Sequence, residues 1–182
     1  MQDTFDPFQD RLSRDIRNDL SASLTRVLAE GNMEAARHVA DRYLQQELAP
    51  FYRDYIRNRL SEYTQCLDFV RSESPDNFHL ALFLWDRRLF FEVHELLEQE
   101  WLKEEGKKKL VLQAMIRAAG VYIKLDCGYV EAAQKIAGRA IPVLEKHKNL
   151  LAGYFDPSLL LDSLKDLRKP PPNLLDLHFG RH

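Results

Sequence analysis

Residues 90–101 read Phe90-Phe91-Glu92-Val93-His94-Glu95-Leu96-Leu97-Glu98-Gln99-Glu100-Trp101. Apolar residues recur there at three- and four-residue intervals, the period of an amphipathic helix rather than of a strand. The same period runs through nearly all of the surrounding chain, and no segment alternates long enough to argue a strand. The pattern predicts an all-α fold, with antiparallel helical hairpins packed as a bundle of about seven or eight helices. The expected spans are 7–30, 33–48, 51–72, 76–86, 89–105, 108–126 and 129–151, with a shorter helix near 157–168.

Several of these boundaries have a chemical cause. Gly31-Asn32 suits the left-handed turn that ends a helix. Pro50 cannot continue one helix but fits the first turn of the next. Ser74-Pro75-Asp76 and Asp156-Pro157 are start signals, and Gly106 and Gly128 are expected to close two long helices. Lys169-Pro170-Pro171-Pro172 ends helical structure. It leaves a tail whose Leu174, Leu175, Leu177 and Phe179 call for docking on their own domain or on a partner. The organisation expected is 1–75, 76–168 and a proline-rich extended tail over 169–182.

Gly31 to Arg42 and Gly128 to Arg139 both read G-x-x-E-A-A-x-x-x-A-x-R. Small residues at this spacing let two helices approach closely, and the segment after Leu89 places Glu92 in a similar way. The pairing resembles tetratricopeptide hairpins, yet no fixed period runs through the chain, so a true repeat array is not expected.

The 182 residues are 45% hydrophobic and 30% charged, which marks a globular chain with a sizeable core,. A net charge of -2 gives no general pull toward nucleic acid or anionic lipid,. Lys107 to Lys109 and Lys146-His147-Lys148 read as solvated helix ends. Only Cys66 and Cys127 are present, with no metal-binding or redox pair, so both are expected to be buried thiols in a reducing compartment,. No acceptable signal peptide or membrane span is visible, and the expected location is cytoplasmic.

On a wheel of residues 90–102, Phe90, Val93, Leu97 and Trp101 share one side, and Phe91 and Leu102 widen it. His94 and Glu98 then fall inside the apolar arc, four apart and adjacent. Glu95 sits at the edge, and Glu92 beyond it. A buried carboxylate needs a partner. In the next helix Gln113, Arg117 and Lys124 share a stripe that faces either water or the preceding helix; in the second case Arg117 would pair with Glu98 and Gln113 would fix the tautomer of His94.

Three functions are compatible with this motif. The leading one is a non-catalytic domain binding a small ligand or protein partner at the His94, Glu98 and Trp101 face, with no cofactor required. The alternative is a metal-assisted hydrolase with His94 and Glu98 as divalent-metal ligands and Glu95 as base. His94-Glu95-Leu96-Leu97-Glu98 resembles the zinc-protease motif H-E-x-x-H with its last ligand changed, but no convincing third ligand follows. The third is a purely structural polar network. Neither a nucleic acid nor a membrane is an expected partner, while a homo-oligomer is compatible with the sequence.

The combination F-F-E-x-H-E-x-L-E-x-x-W, then L-Q-x-x-I-x-x-A and a glycine, is carried by Phe90, Phe91, Glu92, His94, Glu95, Leu97, Glu98, Trp101, Leu112, Gln113, Ile116, Ala119 and Gly128. Over residues 78–145 it resembles the bacterial and archaeal domain-of-unknown-function family 309. The resemblance implies an all-helical bundle with no assigned activity. The family pattern often has Gln where Arg117 stands, and a histidine near Ile123 and Lys124. Residues 1–75 lie outside the resemblance and form an added helical portion.

Overall fold

A computed structural model describes residues 4–175. They form nine helices and no strand among the described residues, grouped in two compact units that divide between Ser74 and Pro75.

Unit 1 holds α1 (Arg11–Glu30), α2 (Glu34–Leu44) and α3 (Pro50–Glu73), which pack on one another. Ile16, Leu20 and Val27 of α1 are fully buried, with Ala36 and Ala40 of α2 and Ile56 and Tyr63 of α3. α1 starts at Arg11 rather than near residue 7 because Asp10 caps it, accepting from the amides of Leu12 and Ser13,. It ends at Gly31, whose φ of 67° lets its amide reach Val27 O,. The Asp19 carboxylate then ties α1 to α2 by accepting from Arg42 and, at 2.6 Å, from the Tyr43 hydroxyl.

Unit 2 holds α4 (Asn77–Asp86), α5 (Phe90–Lys103), α6 (Gly106–Asp126), α7 (Val130–Lys146), α8 (Lys148–Leu151) and α9 (Pro157–Lys165). Each of α4 to α7 packs against its neighbour in sequence, and α9 returns onto α7. Connections of two or three residues force these neighbours into antiparallel pairs,. Asp76 and Asp156 cap α4 and α9, and Pro157 opens α9. The second small-residue motif places Ala133 and Ala137 in the core, and Ala140 just after it is buried as well.

Further boundaries differ from the sequence expectation: α2 ends at Leu44 rather than near 48 and α9 at Lys165 rather than near 168. The span 129–151 breaks at His147, whose backbone leaves the helical region, and a separate turn of helix, α8, follows. Gly106 opens α6 instead of closing α5, because the extended residues Glu104 and Glu105 already break the chain before it. Cys66 is buried as expected, whereas Cys127 is half-buried at the end of α6. No helix among the described residues is long and apolar enough to cross a membrane.

The cap on α1 gives a test of unit 1. Burial pushes the Asp10 carboxyl up, but hydrogen bonds from Ser13, from Tyr52 and from the Leu12 and Ser13 amides outweigh it and hold the group below its ordinary value. A lowered folded pKa stabilises the fold above the unfolded value of 3.8, and that stability is lost as pH falls through the folded pKa,. Asp10→Ala should therefore cost about 1 kcal/mol near neutral pH. Urea melts repeated in acid should show the difference from wild type shrinking below pH 3.8.

Candidate functional site

The phase of α5 is set at its first turn. Trp85 of α4, Phe90 of α5 and Tyr122 of α6 are each at most 2% exposed. Trp85 meets Phe90 and Tyr122 edge to face at 5.1 and 5.4 Å, and Phe90 stacks on Tyr122 at 5.1 Å. Offset and edge-to-face rings of this kind attract beyond their area burial. Burial pushes the Tyr122 phenol up to about 12, opposed by the charge of Arg88 and the Ser163 hydroxyl.

With Phe90 fixed inward, Glu92, Val93 and Leu97 follow it into the core. This reverses the wheel reading of the carboxylates. Glu92, expected outside the apolar arc, is 2% exposed. Glu98, expected inside, has a side chain 50% exposed, and His94 one 33% exposed. The error came from Leu102, which is 68% exposed and does not belong to the buried arc. His94, Glu98 and Leu102 stand four apart and form one outward stripe,. α5 lies between α4 and α6, so its buried face spreads toward Glu92 instead.

On the outward stripe the side chains converge. His94 Nδ1 lies 3.3 Å from Glu95 Oε1 and 3.8 Å from Glu98 Oε2. One ligand atom from each residue falls within 4.8 Å of the others. The imidazole lies parallel to the Phe91 ring, with centroids 6.5 Å apart.

The cross-helix pairs do not form. Among the described residues, no hydrogen bond or ion pair joins Arg117 to Glu98 or Gln113 to His94. Both α6 residues sit half-buried between the core positions of that helix. Trp101, also half-buried, has the ammonium of Lys109 at 4.5 Å from its ring centre. Acidic neighbours farther along are neutralised: Glu100 accepts from Lys103 and Asn77, at 2.8 and 2.7 Å, and Glu104 pairs with Lys108. Lys103 then Asn77 hold the Glu100 carboxyl below its ordinary range against burial. No Lys or Arg among the described residues pairs with Glu95 or Glu98.

Residues 78–136 match the family model described as Domain of unknown function (DUF309). No curated protein and no solved structure matches the chain. The DUF309 stretch runs from α4 into α7 and contains the aromatic cluster and the whole outward stripe.

Two features were missed by sequence reasoning. An open groove of about 600 Å³ is lined by Val130, Ala137 and Ile141 of α7 with Leu164 of α9 and with Leu167 and Arg168 just after that helix. The other is the corner of Trp85, Asp86 and Arg88, which holds the tail. Hydrophobic periodicity carries no signal for either, since both join segments far apart in the chain.

The reversed phase separates two neighbours in stability. Leu97→Ala, at a position 1% exposed, should cost about 2–5 kcal/mol,. Glu98→Ala should stay within about 0.5 kcal/mol of wild type, as exposed substitutions do. Denaturant titration of the two variants checks this, and a large loss in Glu98→Ala would restore the structural reading of that residue.

Proposed function

We propose that unit 2 is a non-catalytic binding module whose His94, Glu95 and Glu98 side chains together hold a divalent cation. The observation that carries this is the convergence of their ligand atoms within 4.8 Å on an outward face. Bonds of about 2.0–2.2 Å to nitrogen and carboxylate oxygen separate neighbouring ligand atoms by roughly 3–3.6 Å. The His94–Glu95 spacing of 3.3 Å already falls in that range, and the His94–Glu98 spacing of 3.8 Å lies just outside it. One imidazole and two carboxylates suit zinc, manganese or iron, with further positions open to water or a ligand. Glu95 and Glu98 also lack the lysine partners that neutralise Glu100 and Glu104. A cation is the counter-charge they are arranged to accept.

The geometry favours this reading over a hydrolase in which Glu95 is the base. That role needs a carboxylate set apart from the ligands and aimed at bound water. Glu95 Oε1, at 3.3 Å from His94 Nδ1, stands among the ligands instead. A cation is also favoured over a larger organic ligand, because the ring of Trp101 is engaged by Lys109.

Calorimetric titration of metal-free protein with manganese or zinc chloride should give one site per chain. His94→Ala should remove it, and Glu98→Gln should weaken it by at least about tenfold. Saturating metal should raise the melting temperature of wild type and leave that of His94→Ala unchanged. Equal binding by wild type and His94→Ala would place the cation elsewhere.

A further inference from the structure

The tail of unit 2 rests on α4 in the manner of a peptide on a receptor. Pro172 O accepts from Trp85 Nε1 at 2.9 Å and from Arg88 Nη1 at 3.3 Å. The amides of Leu174 and Leu175 donate to the two oxygens of Asp86, at 2.6 and 2.9 Å. Arg88 Nη2 donates to Asn173 Oδ1 at 3.1 Å. Leu174 is the apolar anchor, 2% exposed. Leu177 and Phe179 lie outside the described residues.

Recognition therefore runs mostly through the main chain of an extended segment, with one side chain buried, as in known modes of peptide capture. The prolines before it already restrict its backbone, which lowers the entropy lost on docking. The receptor residues all come from the end of α4, which closes by its own hydrogen bonds from the amides of Arg87, Arg88 and Leu89 to Phe83, Trp85 and Leu84. The backbone of the corner is thus closed by bonds within its own segment.

A second, independent feature marks the same corner. Arg88 has a φ of 61°, a left-handed conformation that costs a non-glycine residue free energy,. Glycine would close α4 without that cost, as Gly31 closes α1,. Only the arginine side chain supplies the two donors that reach Pro172 and Asn173. Strain held at one residue whose side chain contacts a ligand is the usual mark of a binding position.

We propose that the Trp85, Asp86 and Arg88 corner is a binding site for an extended Pro-Pro-Asn-Leu-Leu segment, and that it accepts this segment from a second copy of the chain. The occupant is chosen by complementarity: the sequence that fits the corner is the chain's own, so every copy carries both receptor and ligand. Exchange of an identical element is a low-cost route to association. The segment before it favours release, since Lys169 and Pro170 are exposed and α9 has already ended at Lys165. In a single chain the tethered tail outcompetes a free one through its high local concentration, so exchange must be observed with that competition removed.

Two full-length variants do this. Asp86→Ala keeps the tail and spoils the receptor, while Leu174→Asp keeps the receptor and spoils the tail. In isotope-labelled Leu174→Asp the Trp85 indole N–H signal should move from its wild-type position, because its acceptor has left. Adding unlabelled Asp86→Ala should return that signal toward the wild-type position in proportion to concentration. Adding unlabelled Leu174→Asp should not. If Leu174→Asp proves unfolded by circular dichroism, labelled Leu174→Ala takes its place. An indole signal that stays displaced at millimolar Asp86→Ala, with both chains folded, overturns the proposal, and so does restoration by either partner alike.

Discussion

The packing of Trp85, Phe90 and Tyr122 is the constraint on which the rest of unit 2 depends. Three rings from three successive helices meet with centroids 5.1–5.4 Å apart. Turning α5 about its axis would withdraw Phe90 from both other rings. The cluster therefore decides which residues of α5 face inward. Once Phe90 is committed, Glu92 must be buried and His94 and Glu98 must be presented outward. Trp85 belongs to a second system as well. Its ring lies in the core, while its indole N–H is met by Pro172 of the tail. The two proposed sites are thus built on one aromatic framework, the cation stripe on α5 and the peptide corner at the end of α4.

Much of this fold was legible in the sequence because helix boundaries are local chemistry. Asp76, Asp156, Pro50, Pro157 and Gly31 act within one turn of where they stand. The buried alanines after Gly31 and Gly128 likewise follow from a spacing readable in one dimension. The site was located on the correct helix, but its phase was not legible. A wheel assigns the buried side from composition, and the exposed Leu102 drew the apparent apolar arc toward Glu98. The true arc depends on α4 and α6 covering two sides of α5, which is tertiary information. The pairing of Arg117 with Glu98 failed for the same reason. Docking of the tail was expected from its leucines, but the corner that receives it was not legible, since Asp86 and Leu174 are separated by five intervening helices and their loops.

The electrostatic pattern of α5 bears most directly on function. Toward its C-terminal end each acidic residue has a basic or amide partner, so charge there serves helix stability,. At its centre Glu95 and Glu98 have only His94, whose imidazole is a ligand as readily as a cation,. That contrast within one helix is hard to attribute to surface solubility alone. The DUF309 match encloses the stripe and the receptor corner, whereas the tail segment that fills the corner lies beyond residue 136.

The most direct measurement is carboxyl footprinting, in which solvent-accessible carboxylates are coupled to an amine and located by mass spectrometry, with and without manganese. Glu95 and Glu98 should be modified readily, Glu92 should be protected, and manganese should slow labelling at the first two. Labelling of Glu92 as fast as Glu98, or rates at Glu95 and Glu98 indifferent to manganese, would contradict it.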